Sequence, residues 1–141
     1  MTDLNISGLD QTIHKTNEWI DDVKNEIGCM SRDEAYRALS STLHALRDRL
    51  IPEEAIQLAA QLPLLIRGMY YDGYTLSGKP IPVRRKDEFL DLIGSELTMA
   101  PEIDPEDAAK GVFSVLERRV SKGEIDDIKS QLPEEIKELW Q

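Results

Sequence analysis

The chain has 141 residues, 40% of them hydrophobic and 31% charged, and a formal net charge of −10 at neutral pH. That length suits one compact domain, and the acidic balance argues against general binding to nucleic acid or anionic membrane, both of which select excess Lys and Arg. No apolar run approaches the roughly 20 residues of a membrane span, the N-terminus lacks the basic start and apolar block of an export signal, and a lone cysteine, Cys29, fits a reducing cytosol.

In chain order, Leu9, Ile13, Thr16, Ile20, Val23 and Ile27 step by four and three, the stripe of a first helix. Ser7 or Asp10 suits its cap, and Gly28 suits the left-handed position past its end. Ser31-Arg-Asp-Glu34 has the capping-box spacing and opens a second helix lined by Ala35, Leu39, Leu43, Leu46 and Leu50. A third helix begins near Pro52 and is kinked or ended before Pro63, where proline removes a donor and crowds the preceding turn. A short fourth segment carries Ile66, Met69 and Tyr70. Residues 72–87 then lose helical spacing.

Beyond that break the pattern returns at an offset of 70 residues. Trp19-Ile20-Asp21 aligns with Phe89-Leu90-Asp91, and Gln61-Leu62-Pro63 aligns with Gln131-Leu132-Pro133. Only 11 of 54 paired positions are identical, so the joint match of apolar phase and Gln-Leu-Pro carries the argument. Asp104-Pro105-Glu106-Asp107 supplies cap, first-position proline and acids at the positive helix end, and another helix starts near Lys122. No stretch alternates like a strand. The expected fold is all-α: one domain over residues 1–141, with two similar three-to-four-helix units (8–71 and 88–141) in a tandem pseudo-symmetric bundle, joined by the connector 72–87.

The repeat offers structural roles for residues that would otherwise look functional. Cys29 aligns with Met99, which predicts apolar filling at both positions. Trp19 with Phe89, and Tyr70 with Trp140, read as aromatic core. Arg49 and Arg119 are expected to pair with Glu54 and Glu124. His14 and His44 lack the Glu-x-x-His spacing of di-iron bundles and read as surface or helix-flank residues. Acidic runs such as Asp126-Asp127 read as solvated faces, and Arg84-Arg85-Lys86 as a neutraliser of nearby acidic helix ends. Gly73 to Lys79 matches seven positions of a phosphate loop, but Pro80 stands where a hydroxyl, a backbone N–H and a helix start are needed. No catalytic residue, metal ligand or cofactor is assigned.

The connector has no counterpart in the repeat, and long loops without their own structure tend to be functional or flexible. Leu62-Pro-Leu-Leu-Ile-Arg67-Gly68-Met-Tyr70-Tyr71-Asp72-Gly73-Tyr74, then Gly78-Lys79-Pro80 and Arg84 to Phe89, resembles the bacterial family called domain of unknown function 2267. Members share the paired Gln-Leu-Pro units and usually carry Trp where Tyr74 stands. The resemblance implies an all-helical bacterial cytosolic protein without an established activity.

The first functional expectation is therefore a non-catalytic interaction or adaptor domain holding an unidentified protein partner. Arg67, Tyr71, Tyr74, Arg84 and Arg85 would make the contacts, with Asp72 and Gly73 setting the turn, because Tyr and Arg supply much interface energy. The alternative is a small anionic metabolite bound, or turned over, by the same tyrosines, arginines and Asp72. Nucleic acid through Arg84 to Lys86 ranks last, and no membrane partner is expected. Leu64 and Leu65, whose counterparts are Glu134 and Glu135, suggest an extra buried face, either intramolecular or a homodimer contact.

Overall fold

The computed structural model describes residues 6–28 and 31–140. Eight helices run through these residues, and no strand occurs among them: α1 (Ser7–Ile27), α2 (Arg32–Arg49), α3 (Pro52–Ala59), α4 (Leu64–Tyr71), α5 (Lys86–Glu96), α6 (Pro105–Arg119), α7 (Lys122–Gln131) and α8 (Glu134–Lys137). Several boundaries follow the expected signals, although α5 starts at Lys86, inside the expected connector. Ser31 and Glu34 form a reciprocal capping box on α2, and Asp104 caps α6 ahead of Pro105. Gly28 closes α1 at φ 76°, a backbone state that other residues rarely adopt.

The centre is built by α2 and α6, which pack against each other and against both α1 and α5. Leu39, Leu43 and Leu46 from α2 share one buried cluster with Val112, Phe113 and Leu116 from α6, Val23 from α1 and Ile93 from α5. Each such side chain contributes roughly 1.5–3 kcal/mol on full burial. Phe113 stacks on Trp140 at 4.1 Å, which ties the segment after α8 into this core. The aromatic expectations hold, since Trp19, Tyr70, Phe89 and Trp140 are all buried. At one end, α3 packs on α7.

Contacts recur at the offset of 70. Ile51 N donates to Gln131 Oε1 at 3.1 Å, and Ser121 N donates to Gln61 Oε1 at 2.8 Å. Ser114 Oγ bonds Glu26 at 2.7 Å, and His44 Nδ1 meets Glu96 at 2.9 Å. In each pair, both members shift by the same number of residues.

Several expectations fail for local reasons. Ile6 takes the cap position of α1, so Ser7 falls inside the helix and neither Ser7 nor Asp10 caps it. Leu9 and Ile13 are exposed while Thr12 is buried, because the first turns of α1 overhang the bundle and touch α4, where Leu65 N reaches Thr12 Oγ1 at 3.4 Å. Leu64 and Leu65 are exposed too, so no intramolecular face covers them. Met99 is 70% exposed in the turn after α5, not apolar filling; Cys29 lies outside the described residues. His14 is exposed as expected, but His44 is largely enclosed, with Nε2 donating to Met69 O at 2.7 Å.

The expected Arg–Glu pairs do not form. Arg49 donates to Val83 O and Arg119 reaches Asp22, because both arginines turn toward neighbouring segments while Glu54 and Glu124 turn toward each other.

Candidate functional site

The connector lies on the last turn of α2, where three successive residues hold it. Arg47 donates from Nη1 to Tyr70 O and to Asp72 O, the latter at 2.8 Å, while its Nε bonds Asp48 at 3.0 Å. Asp48 O accepts from Ile81 N at 2.9 Å, and Arg49 Nε donates to Val83 O at 2.5 Å. The carbonyl-rich end of a helix favours cations, so arginines at this turn suit the helix as well as the loop. Gly73 (φ 79°) and Gly78 (φ 73°) supply the two turns, and Lys79–Pro80 is cis.

This anchoring gathers an aromatic–cationic cluster. Tyr71 packs edge-on against Tyr70 at 5.4 Å and lies 6.4 Å from Tyr74. The Arg47 guanidinium sits 5.4 Å from the Tyr74 ring centroid, and Lys79 Nζ sits 5.6 Å from it. The buried Tyr74 hydroxyl has no hydrogen-bond partner. Burial first, then the Asp48 charge, raises its pKa above the ordinary phenol value. Tyr71 is 36% exposed and Leu76, at the tip, is 64% exposed.

The predicted site residues do not converge on one point. Tyr71 and Tyr74 come together with Lys79, as expected of the tyrosine segment. Asp72 and Gly73 form the exposed turn, and the Asp72 carbonyl belongs to Arg47. Arg67 is committed to Ala59 O (2.9 Å) and Leu62 O (3.0 Å), where it holds the corner between α3 and α4. Arg85 pairs with Asp87 at 2.8 Å, and Lys86 meets Glu106 in the first turn of α6 at 3.2 Å, so part of the basic triplet does neutralise acids. Arg84 is exposed and makes no ion pair among the described residues. Lys79 Nζ lies near Thr75 Oγ1 and Ser77 O, and no helix begins until Lys86, which agrees with rejecting a phosphate loop.

Arg47 and Asp48 escaped the sequence reading. The one available cue was a break in the repeat: Arg47 aligns with Glu117, which bonds Lys129 at 3.1 Å. A residue that departs from its counterpart in charge serves something its counterpart does not have, and here that is the connector.

A second polar cluster joins α3 to α7. Glu54, Glu124 and Asp127 each bring a carboxylate oxygen within 4.8 Å of the others, with both glutamates 7% exposed. Oε2 of each glutamate lacks a hydrogen-bond partner, while Glu54 Oε1 accepts from Gln131 at 3.0 Å. Burial, then the neighbouring Glu54, pushes Glu124 up to about 8. Glu124 therefore holds its proton to higher pH than an ordinary carboxyl does.

No helix among the described residues is long and apolar enough to cross a membrane. No match emerges among curated proteins. Residues 16–139, which include both helical sets and the whole connector, match the model described as uncharacterized conserved protein (DUF2267), and the chain belongs to that family.

Proposed function

We propose that the protein is a non-catalytic interaction module of the bacterial cytosol, made from two copies of one helical unit, whose connector docks a protein partner. The observation that carries this reading is the pairing of exposure with rigidity. Tyr71, the last residue of α4, and Leu76, on the connector, face solvent beside a loop backbone clamped by Arg47, Asp48 and Arg49. A loop held in one conformation loses little further entropy when a partner binds. Tyr71 supplies apolar area with a polar tip, as interface anchors do. Lys79 and Arg84, which pair with no acid among the described residues, make this edge locally basic within an acidic molecule, which suits an acidic partner surface. The contacts that recur at the 70-residue offset support the two-copy reading. The single cysteine supports the cytosolic one.

A photo-crosslinking side chain introduced at position 76 tests this in cells. The expected product is one dominant covalent adduct with a protein whose affinity for the purified chain falls at least tenfold with Tyr71→Ala and weakens with salt. Binding of that protein by Tyr71→Ala equal to wild type, with circular dichroism unchanged, would overturn the assignment. So would the absence of any adduct.

A further inference from the structure

We propose that Arg49 and Arg84 form a binding site for an oxyanion at the corner between the end of α2 and the connector. This site stands whether or not the tyrosine face holds a protein.

Arg49 is only 8% exposed, yet its one hydrogen bond is from Nε to Val83 O. Among the described residues no carboxylate pairs with it. Buried guanidinium groups normally face an acid, because a carbonyl offers only part of a charge. The negative end of α2 offers another partial charge, which still leaves the cation undercompensated.

Arg119, the residue aligned with Arg49, shows what is missing. Its Nε donates to Asp22 Oδ2 at 2.6 Å, and its Nη1 lies 3.8 Å from Glu18 Oε1. At the same offset, Asp22 becomes Leu92 and Glu18 becomes Glu88. Leu92 cannot accept a hydrogen bond, and Glu88 makes no ion pair with Arg49. At the position aligned with Asp22 stands a leucine, while the arginine is present in both stretches.

A second cation without an ion pair among the described residues follows directly in the chain, since Arg84 comes after Val83, whose carbonyl Arg49 holds at 2.5 Å. Arg84 acts electrostatically on Arg49, whose pKa is lowered by burial first and by Arg84 second. Asp48 and Asp87, the nearby acids in sequence, are engaged by Arg47 and Arg85. Two arginines at one corner, neither paired with an acid among the described residues, repel each other. An oxyanion between them would relieve that repulsion and accept their fork-shaped donors in pairs. The ligand class is thus a phosphate or carboxylate, carried either by a free small anion or by an acidic peptide segment.

Thermal unfolding at fixed ionic strength tests the site, with inorganic phosphate in one arm and a blocked tetraglutamate peptide in the other, against matched chloride. The expected result for wild type is a saturable rise in Tm of roughly 3–8 °C in at least one arm. A phosphate response identifies a free small anion, and a response to peptide alone identifies an acidic segment. Arg84→Gln removes the rise. Leu92→Asp also removes it, by placing an acid at the position aligned with Asp22, and it raises Tm in chloride. A wild-type Tm that moves no more than in chloride in both arms overturns the proposal. So does a rise of equal size in Arg84→Gln.

Discussion

Arg47 shows how much can depend on a side chain that sequence reading passes over. Its guanidinium joins the carbonyls of Tyr70 and Asp72 to Asp48 and lies against Tyr74. Arg47→Met keeps much of the apolar stem but leaves two carbonyls and a carboxylate without their donor. We expect a loss of roughly 2–4 kcal/mol in urea unfolding, and amide exchange in residues 72–83 at least tenfold faster than in wild type. Glu124 poses the opposite case. Its folded pKa of about 8 lies above the ordinary carboxyl value of 4.5, so the folded state binds its proton more tightly than the unfolded state does. That contribution is complete below pH 4.5 and is lost as pH rises toward 8. The slope is at most roughly 1.4 kcal/mol per pH unit, reduced by whatever solvent reaches the pair. Glu124→Gln should flatten the curve, gaining stability over wild type at pH 8 and little at pH 5. Parallel slopes for the two proteins would contradict a proton held at this position.

At the scale of helices, close approach decides where small residues sit. Gly111 lies where α6 crosses α1, and a Cβ there would stand 2.6 Å from Ile27 Cγ1. Gly111→Ala therefore has to push the helices apart. The overpacking costs roughly 1–3 kcal/mol, against which alanine's better helix propensity returns about 1 kcal/mol. Net destabilisation by denaturant titration is expected, and adding Ile27→Ala should make the effect of Gly111→Ala neutral or favourable. Helix boundaries were legible in the sequence because their causes are local: a capping box at Ser31 and Glu34, an Asp-Pro pair at Asp104, and the proline stops at Pro63 and Pro133. The face each helix buries was less legible. Leu9 and Ile13 continue the stripe of α1 faultlessly, but periodicity cannot say whether a neighbour stands opposite, and there only α4 is in reach.

At the scale of the molecule, α2 buries one side on α5 and α6 and another on α1, so neither half of the chain encloses its own core. A fragment of residues 1–78 should show little helical signal and no cooperative melt alone, and should regain both when mixed with residues 79–141. A cooperative transition in the isolated fragment would refute this. The candidate site divides along the same line. That the connector was special could be read from the sequence, because it breaks the repeat. Which residues hold it could not, because Arg47, Asp48 and Arg49 are distant in sequence from the carbonyls and amides they meet.

The sequence alone determined that this chain is helical, where α2 and α6 begin, where prolines interrupt the helices, and that two stretches share one pattern, since caps, prolines and apolar spacing act within a few residues of themselves. Only the tertiary structure decided that Glu54 faces Glu124 instead of Arg49, that Arg67 is occupied by backbone carbonyls, and that Arg49 pairs with no acid among the described residues. Charges pair with whatever the fold brings near in a low-dielectric interior, and that proximity is set by helix crossings that no local signal records.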